Sequence, residues 1–138
     1  MAKLEDLKRG ATLRGILLKL RAMSAVMEAD TRLGFHPRDV HGENLGYDIE
    51  SEMPRRRALR LIEVKGRAMG AATVTVTRKE IMCTLNKPEE FILAIGLVDG
   101  DQVVLKYVRQ PFAQEPEFGT VSINYDIKNL WNKGLAPT

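Results

Sequence analysis

The sequence predicts an α/β (α+β) domain, and three stretches of the chain carry this prediction. Residues 11–34 place apolar side chains on one face every three to four positions, which is the spacing of an amphipathic helix. Residues 72–77 alternate with a period of two and are rich in β-branched side chains, as strands are. Residues 91–98 form a continuous apolar run, which is typical of a buried strand. One hydrophobic core suits a chain of 138 residues.

The first helix is predicted to lead into two paired strands. Gly34 is expected to end the helix, because glycine is favoured just after the last helical turn. Residues 35–46 are interpreted as a loop. Residues 47–50 and 59–65 alternate apolar and polar side chains, so we expect two adjacent strands joined by the basic loop 53–57.

The second half of the chain is predicted to contain one short helix and two or three further strands. Thr77 and Glu80 form a capping-box pattern, which predicts a helix over residues 78–86. Residues 102–109 follow a turn and should form a hairpin with the preceding apolar run. Residues 121–127 are expected to form a late edge strand.

Charge and cysteine content limit the classes of function. The net charge of +3, from 21 basic and 18 acidic residues, favours an anionic partner but is too small to identify nucleic acid. Cys83 is the one cysteine, so the chain has no internal disulfide and no zinc-binding cluster. No apolar run approaches the roughly 20 residues that cross a bilayer, and a signal peptide's apolar core is absent. We expect a cytoplasmic protein with no membrane partner.

Asp48, Glu63 and Lys65 form the candidate active site. The period of a strand places Glu63 and Lys65 on one face, with Ile62 and Val64 on the other, the expected core face. If the two strands pair as a hairpin, Asp48 and Glu63 converge within reach of one divalent cation, and Lys65 points to the same place. Carboxylate ligands of this kind suit Mg²⁺ or Mn²⁺.

Phosphodiester hydrolysis requires residues of these types. The cation neutralises charge on the scissile phosphate and lowers the pKa of a bound water, while the lysine supports the attacking water or the developing charge. The alternative is that the three residues are the solvent-facing side of an antiparallel hairpin, with cross-strand ion pairs worth about 0.2–1 kcal/mol each. An aspartate followed by E-x-K at this distance is common by chance, so the spacing alone does not choose between them.

Three motifs together resemble a known domain. Residues 44–51 (NLGYDIES), 62–67 (IEVKGR) and 77–80 (TRKE) resemble the C-terminal domain of unknown function named for the plant protein NO VEIN, over roughly residues 20–127. That domain also occurs at the end of bacterial and archaeal helicase-like proteins, and it is identified as a member of the PD-(D/E)XK nuclease-like superfamily. The resemblance implies a restriction-endonuclease-like core, in which helices flank a central mixed β-sheet.

The resemblance also assigns residues to the site. It implies that Asp48, Glu63 and Lys65 are catalytic, and that Asp48 and Glu63 hold the Mg²⁺ or Mn²⁺ ion. The superfamily often adds an acid from the first helix. Asp30 and Glu28 are the two candidates here, they lie on opposite flanks of the apolar stripe, and the sequence does not choose between them. The alternative for either acid is a solvated flank of the helix.

Several basic residues near the motifs are candidates for phosphate contacts with nucleic acid. They are Arg55, Arg56, Arg57, Arg60, Arg67, Arg78 and Lys79. The alternative is that these charges form a solvated surface.

The leading hypothesis is a metal-dependent nuclease or a nuclease-derived DNA-processing domain. It would act in restriction, repair or defence, with a helicase as partner. The alternative is a non-catalytic module that binds nucleic acid or a protein, and a homodimer through the C-terminal edge strand is a further hypothesis. We interpret residues 1–19 as an N-terminal segment with the start of the first helix, resembling a helicase-linker remnant, and residues 20–138 as the restriction-endonuclease-like domain.

Overall fold

A five-stranded mixed sheet with one long helix packed on it organises residues 12–138, which are the residues that the computed structural model describes. The elements in chain order are α1 (Leu13–Arg32), β1 (His36–Asp39), β2 (Ile49–Met53), β3 (Ala58–Ala68), β4 (Thr73–Thr77), α2 (Arg78–Asn86), β5 (Phe91–Asp99), β6 (Gln102–Arg109), β7 (Ser122–Asp126) and α3 (Ile127–Lys133). Within this part of the chain, no helix is both long and apolar enough to cross a membrane.

The strand order of the main sheet is β1-β2-β3-β5-β6, and β4 pairs with β7 in a separate two-stranded sheet. Strands β3 and β5 run parallel, whereas the other pairs of the main sheet run antiparallel. The predicted mixed sheet flanked by helices is therefore confirmed. The two predicted hairpins, β2 with β3 and β5 with β6, are confirmed as well.

Each face of the main sheet is covered by its own apolar cluster. On one face α1 packs against the sheet, with core residues Ala22, Met23, Val26, Ile49, Ile62, Val64, Ile92, Ala94 and Tyr107. The other face is covered by the small sheet and by α2 and α3, with core residues that include Leu61, Val74, Val76, Ile81, Leu93, Ile95, Ile127 and Leu130. Strand β5 lies between the two clusters, which explains its continuous apolar run.

Small residues allow α1 to lie very close to the sheet. A Cβ atom on Gly66 would stand 2.3 Å from the carbonyl oxygen of Leu18, and one on Gly96 would stand 2.9 Å from the Cβ of Ala22. Neither distance is compatible with a side chain larger than hydrogen. The backbone of α1 therefore approaches β3 directly beside Lys19.

The apolar face predicted for α1 was partly wrong. Leu13 and Leu17 belong to the predicted stripe, but their side chains are 62% and 52% exposed. The sheet meets the helix further along, at residues such as Ala22 and Val26, because strands β3 and β5 cross the helix there. Ala11, the first residue of the predicted helix, lies outside the described residues, as does most of the segment predicted as a helicase linker.

Residues 35–46 do not form a simple loop as predicted. Residues His36–Asp39 form the edge strand β1, which pairs antiparallel with β2, and a short 3₁₀ turn follows at His41–Glu43. Pro37 lies within β1 and pairs with Ser51 of β2. An edge strand tolerates proline, because the missing N–H can face away from the neighbouring strand.

The C-terminal region contains the predicted edge strand and one element that was not predicted. The edge strand is β7, and it pairs with β4 in the two-stranded sheet. The unpredicted helix α3 follows it directly, and the Asp126 carboxylate caps this helix by accepting a hydrogen bond from the backbone of Lys128 at 2.9 Å. By contrast, α2 begins and ends as predicted, and its capping box of Thr77 and Glu80 is formed.

A buried ion pair ties α1 to three strands. The Asp30 side chain is fully buried, and Arg60 donates to both of its oxygens, at 2.7 Å from Nη2 and 3.1 Å from Nε. The hydroxyl groups of Ser51 and Tyr107 donate to the same carboxylate. The Arg60 guanidinium also stacks 3.9 Å from the centre of the Phe35 ring. Arg60 is therefore held inside the fold and does not belong to a phosphate-binding surface.

Replacing Gly66 with alanine should lower the free energy of unfolding by about 1–3 kcal/mol, because the added methyl group overlaps the Leu18 carbonyl and moves α1 off the sheet. Chemical denaturation measures this change. Gly15→Ala, in the first turn of the same helix, is the control; its methyl group would meet only the Thr12 hydroxyl, at 3.1 Å, so it should change stability less than Gly66→Ala does. Equal stability of Gly66→Ala and the wild type would contradict the close packing.

Asp30→Asn should cost about 3–5 kcal/mol of unfolding free energy, because it leaves the Arg60 charge buried without its counter-ion. The matched control is Glu28→Gln. Glu28 is exposed and lies 4.0 Å from Arg32 one turn along the helix, so its loss should change stability by no more than about 0.5 kcal/mol. A similar urea midpoint for both variants would show that Asp30 does not support the fold in this way.

Candidate functional site

The site lies where β2 begins, beside the middle of β3. Asp48 stands just before β2, and its backbone N–H donates to the carbonyl of Ile62 at 2.8 Å. Its carbonyl accepts from the N–H of Val40 at 2.8 Å, and its carboxylate Oδ2 accepts from the N–H of Val64 at 2.8 Å. Three backbone hydrogen bonds thus hold Asp48 between β1 and β3.

Glu63 and Lys65 lie on the same face of β3, beside Asp48. The Glu63 side chain is buried, with 2% of the residue exposed, and its Oε2 lies 3.4 Å from the Lys65 ammonium. Lys65 also donates to Glu80 Oε1 at 2.8 Å. The same Glu80 oxygen accepts from the backbone N–H of Thr77, so Glu80 both caps α2 and contacts the site. Because Glu63 and Asp48 are buried, the alternative of a solvent-facing hairpin surface is wrong.

Lys19 on α1 completes the cluster, and the sequence analysis missed it. Its Nζ donates to Asp48 Oδ2 at 2.6 Å and to the carbonyl oxygen of Val64 at 2.6 Å, and it lies 3.4 Å from Glu63 Oε2. Lys19 stands three residues before the buried Ala22 and three after the buried Ile16. A charged residue on the buried face of a helix was the signal in the sequence that could have found it.

Most of the cluster lines a cleft of about 480 Å³, but Lys65 is not among the residues that line it. Beside Lys19, Asp48, Glu63 and Glu80, the cleft is lined by Gly15, Ile16, Leu20, His41, Asn44, Leu45, Gly46, Tyr47, Thr77 and Lys79. His41 is one of these lining residues, and its Nδ1 lies 2.7 Å from the Asp39 carboxylate. The cleft is therefore open to solvent above a charged floor.

Burial and neighbouring charges shift the pKa values of the cluster in different directions. Burial raises the pKa of Glu63 well above its usual value, and the attraction of Lys19 does not offset this effect. Burial acts in the same sense on Asp48, but the Lys19 ammonium and the hydrogen bonds from Glu63, Lys19 and Val64 outweigh it, so the Asp48 pKa is lowered. Burial disfavours the Lys19 ammonium, yet the two carboxylates raise its pKa overall. Lys19 is thus held in its charged form.

Neither candidate acid of the first helix lies at the site. Asp30 is bound in the ion pair with Arg60, and it follows Lys19 by eleven residues, which is about 16 Å along a helix. Glu28 is exposed on the opposite side of α1 from the core. The helix residue that reaches the two carboxylates is a lysine instead of an acid.

The predicted basic residues are spread over the molecule. Arg55, Arg56 and Arg57 lie in the turn between β2 and β3, at the opposite end of that hairpin from Asp48. They are exposed, but a five-residue strand, roughly 16 Å long, separates them from the site. These three residues are therefore not beside the cleft.

Only part of the remaining basic set is near the cleft. Lys79 lines it, and its ammonium donates to the carbonyl of Asn44. Arg78 donates to the carbonyl of Glu117 at 3.1 Å and so holds the loop before β7. Arg67 follows Lys65 by two residues on β3 and thus lies on the same face of that strand.

The oxygen atoms of the site are of the types that bind a hard divalent cation. Residues 12–138 contain no group of three or more histidine, cysteine, aspartate or glutamate side chains that could hold a metal ion. The carboxylates of Asp48 and Glu63 and the carbonyl of Val64 nevertheless surround one point, and oxygen atoms of these types are the ligands that Mg²⁺ and Mn²⁺ prefer. The Lys19 ammonium stands at that point.

The fold resembles that of a solved Holliday junction resolvase. A solved structure of Hjc, a Holliday junction resolvase from the archaeal hyperthermophile Archaeoglobus fulgidus, superposes with a TM-score of 0.59. The similarity covers 86% of this chain and 90% of the resolvase chain at 16% sequence identity. This likeness confirms the predicted restriction-endonuclease-like fold. No curated protein matches the chain in sequence.

The sequence places the chain in a family. The family pattern described as Protein NO VEIN, C-terminal, matches residues 19–108, which is well over half of the chain and includes Asp48, Glu63 and Lys65. The motifs of residues 44–51 and 62–67 lie inside this match and had indicated the same domain. The chain therefore belongs to the NO VEIN C-terminal family.

Proposed function

We propose that this domain is a nuclease that hydrolyses phosphodiester bonds of DNA at Asp48, Glu63 and Lys65. The observation that supports the proposal is a pair of adjacent buried carboxylates at the floor of an open cleft, on a restriction-endonuclease-like fold. Two buried carboxylates side by side destabilise a fold unless a cation compensates them. The free-energy cost of burying these two carboxylates indicates that they have a role beyond folding.

Each residue of the cluster has a place in this chemistry. Asp48, Glu63 and the carbonyl of Val64 would hold a Mg²⁺ or Mn²⁺ ion, which supplies charge neutralisation at the phosphate and an acidified water. The Val64 N–H keeps the Asp48 carboxylate in one orientation. The Lys65 ammonium would stabilise negative charge that develops on the phosphate oxygens, and Glu80 holds this lysine in position.

The proposed substrate class rests on one basic residue at the cleft wall and on the solved structure of similar fold. Lys79 at the cleft wall supplies a positive charge for a backbone phosphate. The solved relative is a Holliday junction resolvase, so branched DNA belongs among the substrates to test beside duplex and single strands. Action beside a helicase stays a hypothesis from the family resemblance, and pairing with a second copy of this chain stays a hypothesis from the C-terminal edge strand.

The second candidate function is binding of nucleic acid without cleavage. The contact of Lys19 with all three oxygen donors favours it, because an ammonium at this point satisfies the two carboxylates without a metal ion. The two functions differ in whether Glu63 and Lys65 are needed for turnover or only for the fold.

Glu63→Gln and Lys65→Ala should each reduce DNA cleavage by about 100-fold or more, because each removes charge stabilisation that grows toward the transition state. The purified chain is incubated in Mn²⁺ with labelled single-stranded, duplex and four-way DNA, and cleavage and binding are measured on the same samples. Binding should change far less than cleavage.

Glu52→Gln and Lys87→Ala are the matched controls, since both residues are exposed and lie outside the cleft. Cleavage that persists in both site variants would indicate a contaminating nuclease. An absence of cleavage on every substrate, combined with binding that weakens steeply with salt and with Lys79→Ala, would favour the binding function instead.

The opposite pKa shifts of Asp48 and Glu63 predict opposite effects on stability in metal-free buffer. Glu63 has a raised pKa in the folded state, so its contribution to stability is greatest below about pH 4.3 and is lost as the pH rises through the folded pKa. Glu63→Gln cannot ionise and should therefore gain stability relative to the wild type as the pH rises toward 8.

Asp48 has a lowered pKa in the folded state. Its contribution to the free energy of unfolding is therefore present above the ordinary aspartate pKa and is lost as the pH falls through the folded-state pKa. Asp48→Asn should cost about 1–3 kcal/mol at neutral pH and progressively less in acid. Urea unfolding of the wild type and both variants between pH 4 and pH 8 measures these slopes. If the free energy of unfolding changed with pH in the same way for all three proteins, both pKa shifts would be contradicted.

A further inference from the structure

We propose that Lys19 is a tethered cation which occupies the ion site of this domain, so that a divalent ion binds only when the Lys19 ammonium leaves. The inference rests on the proposed function for the assignment of the ion site. Its test measures ion binding and stability, so it does not depend on cleavage.

The contacts of Lys19 are those of an ion in a coordination shell. Its Nζ lies 2.6 Å from a carboxylate oxygen of Asp48, 2.6 Å from the carbonyl oxygen of Val64 and 3.4 Å from a carboxylate oxygen of Glu63. An ammonium and a divalent ion cannot share this point. Their mutual repulsion and the limited number of oxygen atoms make the two cations competitors.

The charges of the cluster explain why Lys19 is needed there. The other ammonium of the cluster, Lys65, makes its shorter contact with Glu80, at 2.8 Å, and lies 3.4 Å from Glu63. Asp48 therefore depends on Lys19 for its ionic partner, and Glu63 depends on it in part. Without a divalent ion, removal of the Lys19 charge would leave two buried carboxylates beside each other.

The packing of α1 brings the ammonium to this point, and the cleft allows it to leave. Lys19 follows Leu18, whose carbonyl oxygen lies against Gly66 on β3, so the helix backbone holds the start of the lysine side chain beside the strand. The Lys19 side chain is nevertheless 29% exposed and lines the open cleft. Rotation about its side-chain bonds is enough to move the ammonium from the carboxylates into the cleft.

Mn²⁺ binding to the whole chain without nucleic acid tests the inference. Lys19→Met and Lys19→Gln should bind Mn²⁺ at least about tenfold more tightly than the wild type, because a site that is closed most of the time has a proportionally weaker apparent affinity. Isothermal titration calorimetry or the electron paramagnetic resonance signal of free Mn²⁺ measures it. Lys128→Met is the matched control, since Lys128 is exposed on α3 and should leave Mn²⁺ binding unchanged.

Stability supplies a second measurement on the same proteins. In metal-free buffer Lys19→Met should melt below the wild type, and Mn²⁺ should restore the difference, since an ion that binds only the folded state stabilises it by mass action. Adding Asp48→Asn to Lys19→Met should abolish both the tight Mn²⁺ binding and the restoration. If Lys19→Met does not fold without metal, its refolding on addition of Mn²⁺ also shows that the ion replaces the lost charge. Lys19→Gln keeps a hydrogen-bond donor, so its melting temperature with and without Mn²⁺ can be measured as well.

Two results would overturn the inference. One is equal Mn²⁺ affinity of the wild type and both Lys19 variants, and the other is the absence of saturable binding in all of them. Failure of the proposed function has a different signature: no DNA is cleaved, although the Lys19 variants bind Mn²⁺ more tightly than the wild type does.

Discussion

The close contact between α1 and β3 is the constraint on which the candidate site depends. Gly66 carries no side chain, so the carbonyl of Leu18 can touch the strand, and Lys19, the next residue of the helix, is directed along β3. The ammonium then meets the carbonyl of Val64 and the carboxylate of Asp48. A larger residue at position 66 would separate the layers and remove one wall of the charged cluster.

Two polar clusters contact α1, and their surroundings differ. The first cluster, which we call the Asp30 cluster, is inaccessible to solvent. Both carboxylate oxygens of Asp30 accept hydrogen bonds inside the core, from Arg60, Ser51 and Tyr107. The second cluster, which we call the Lys19 cluster, contains Lys19, Asp48 and Glu63 and lines a cleft that a ligand can enter. No buried side-chain nitrogen or oxygen in residues 12–138 lacks a hydrogen-bond partner, so both clusters are compatible with a stable fold. Access from solvent is what separates a structural ion pair from a candidate site.

The burial that strengthens the electrostatics of the site also makes it costly. Burial raises the pKa of Glu63, whereas at Asp48 the Lys19 ammonium and the hydrogen bonds outweigh burial and lower the pKa. Such an arrangement is unfavourable for stability alone. It is expected where charge must be concentrated on a phosphate group, since an electrostatic interaction is worth more at low dielectric than in water.

The sequence by itself determined the fold class, the hairpins, the capped helix α2 and the pair of motifs with Asp48 and Glu63, because each of these depends on local periodicity, capping or a short motif. Only the tertiary structure decided which helix residue joins them. Asp30 and Lys19 are both charged residues of α1 that contact β3, and the position along β3 that each one reaches decides whether it meets Arg60 or the two carboxylates. The same reason applies to β1 and to the pairing of β7 with β4: long-range backbone hydrogen bonds form them, and no local pattern of residues encodes such a partner.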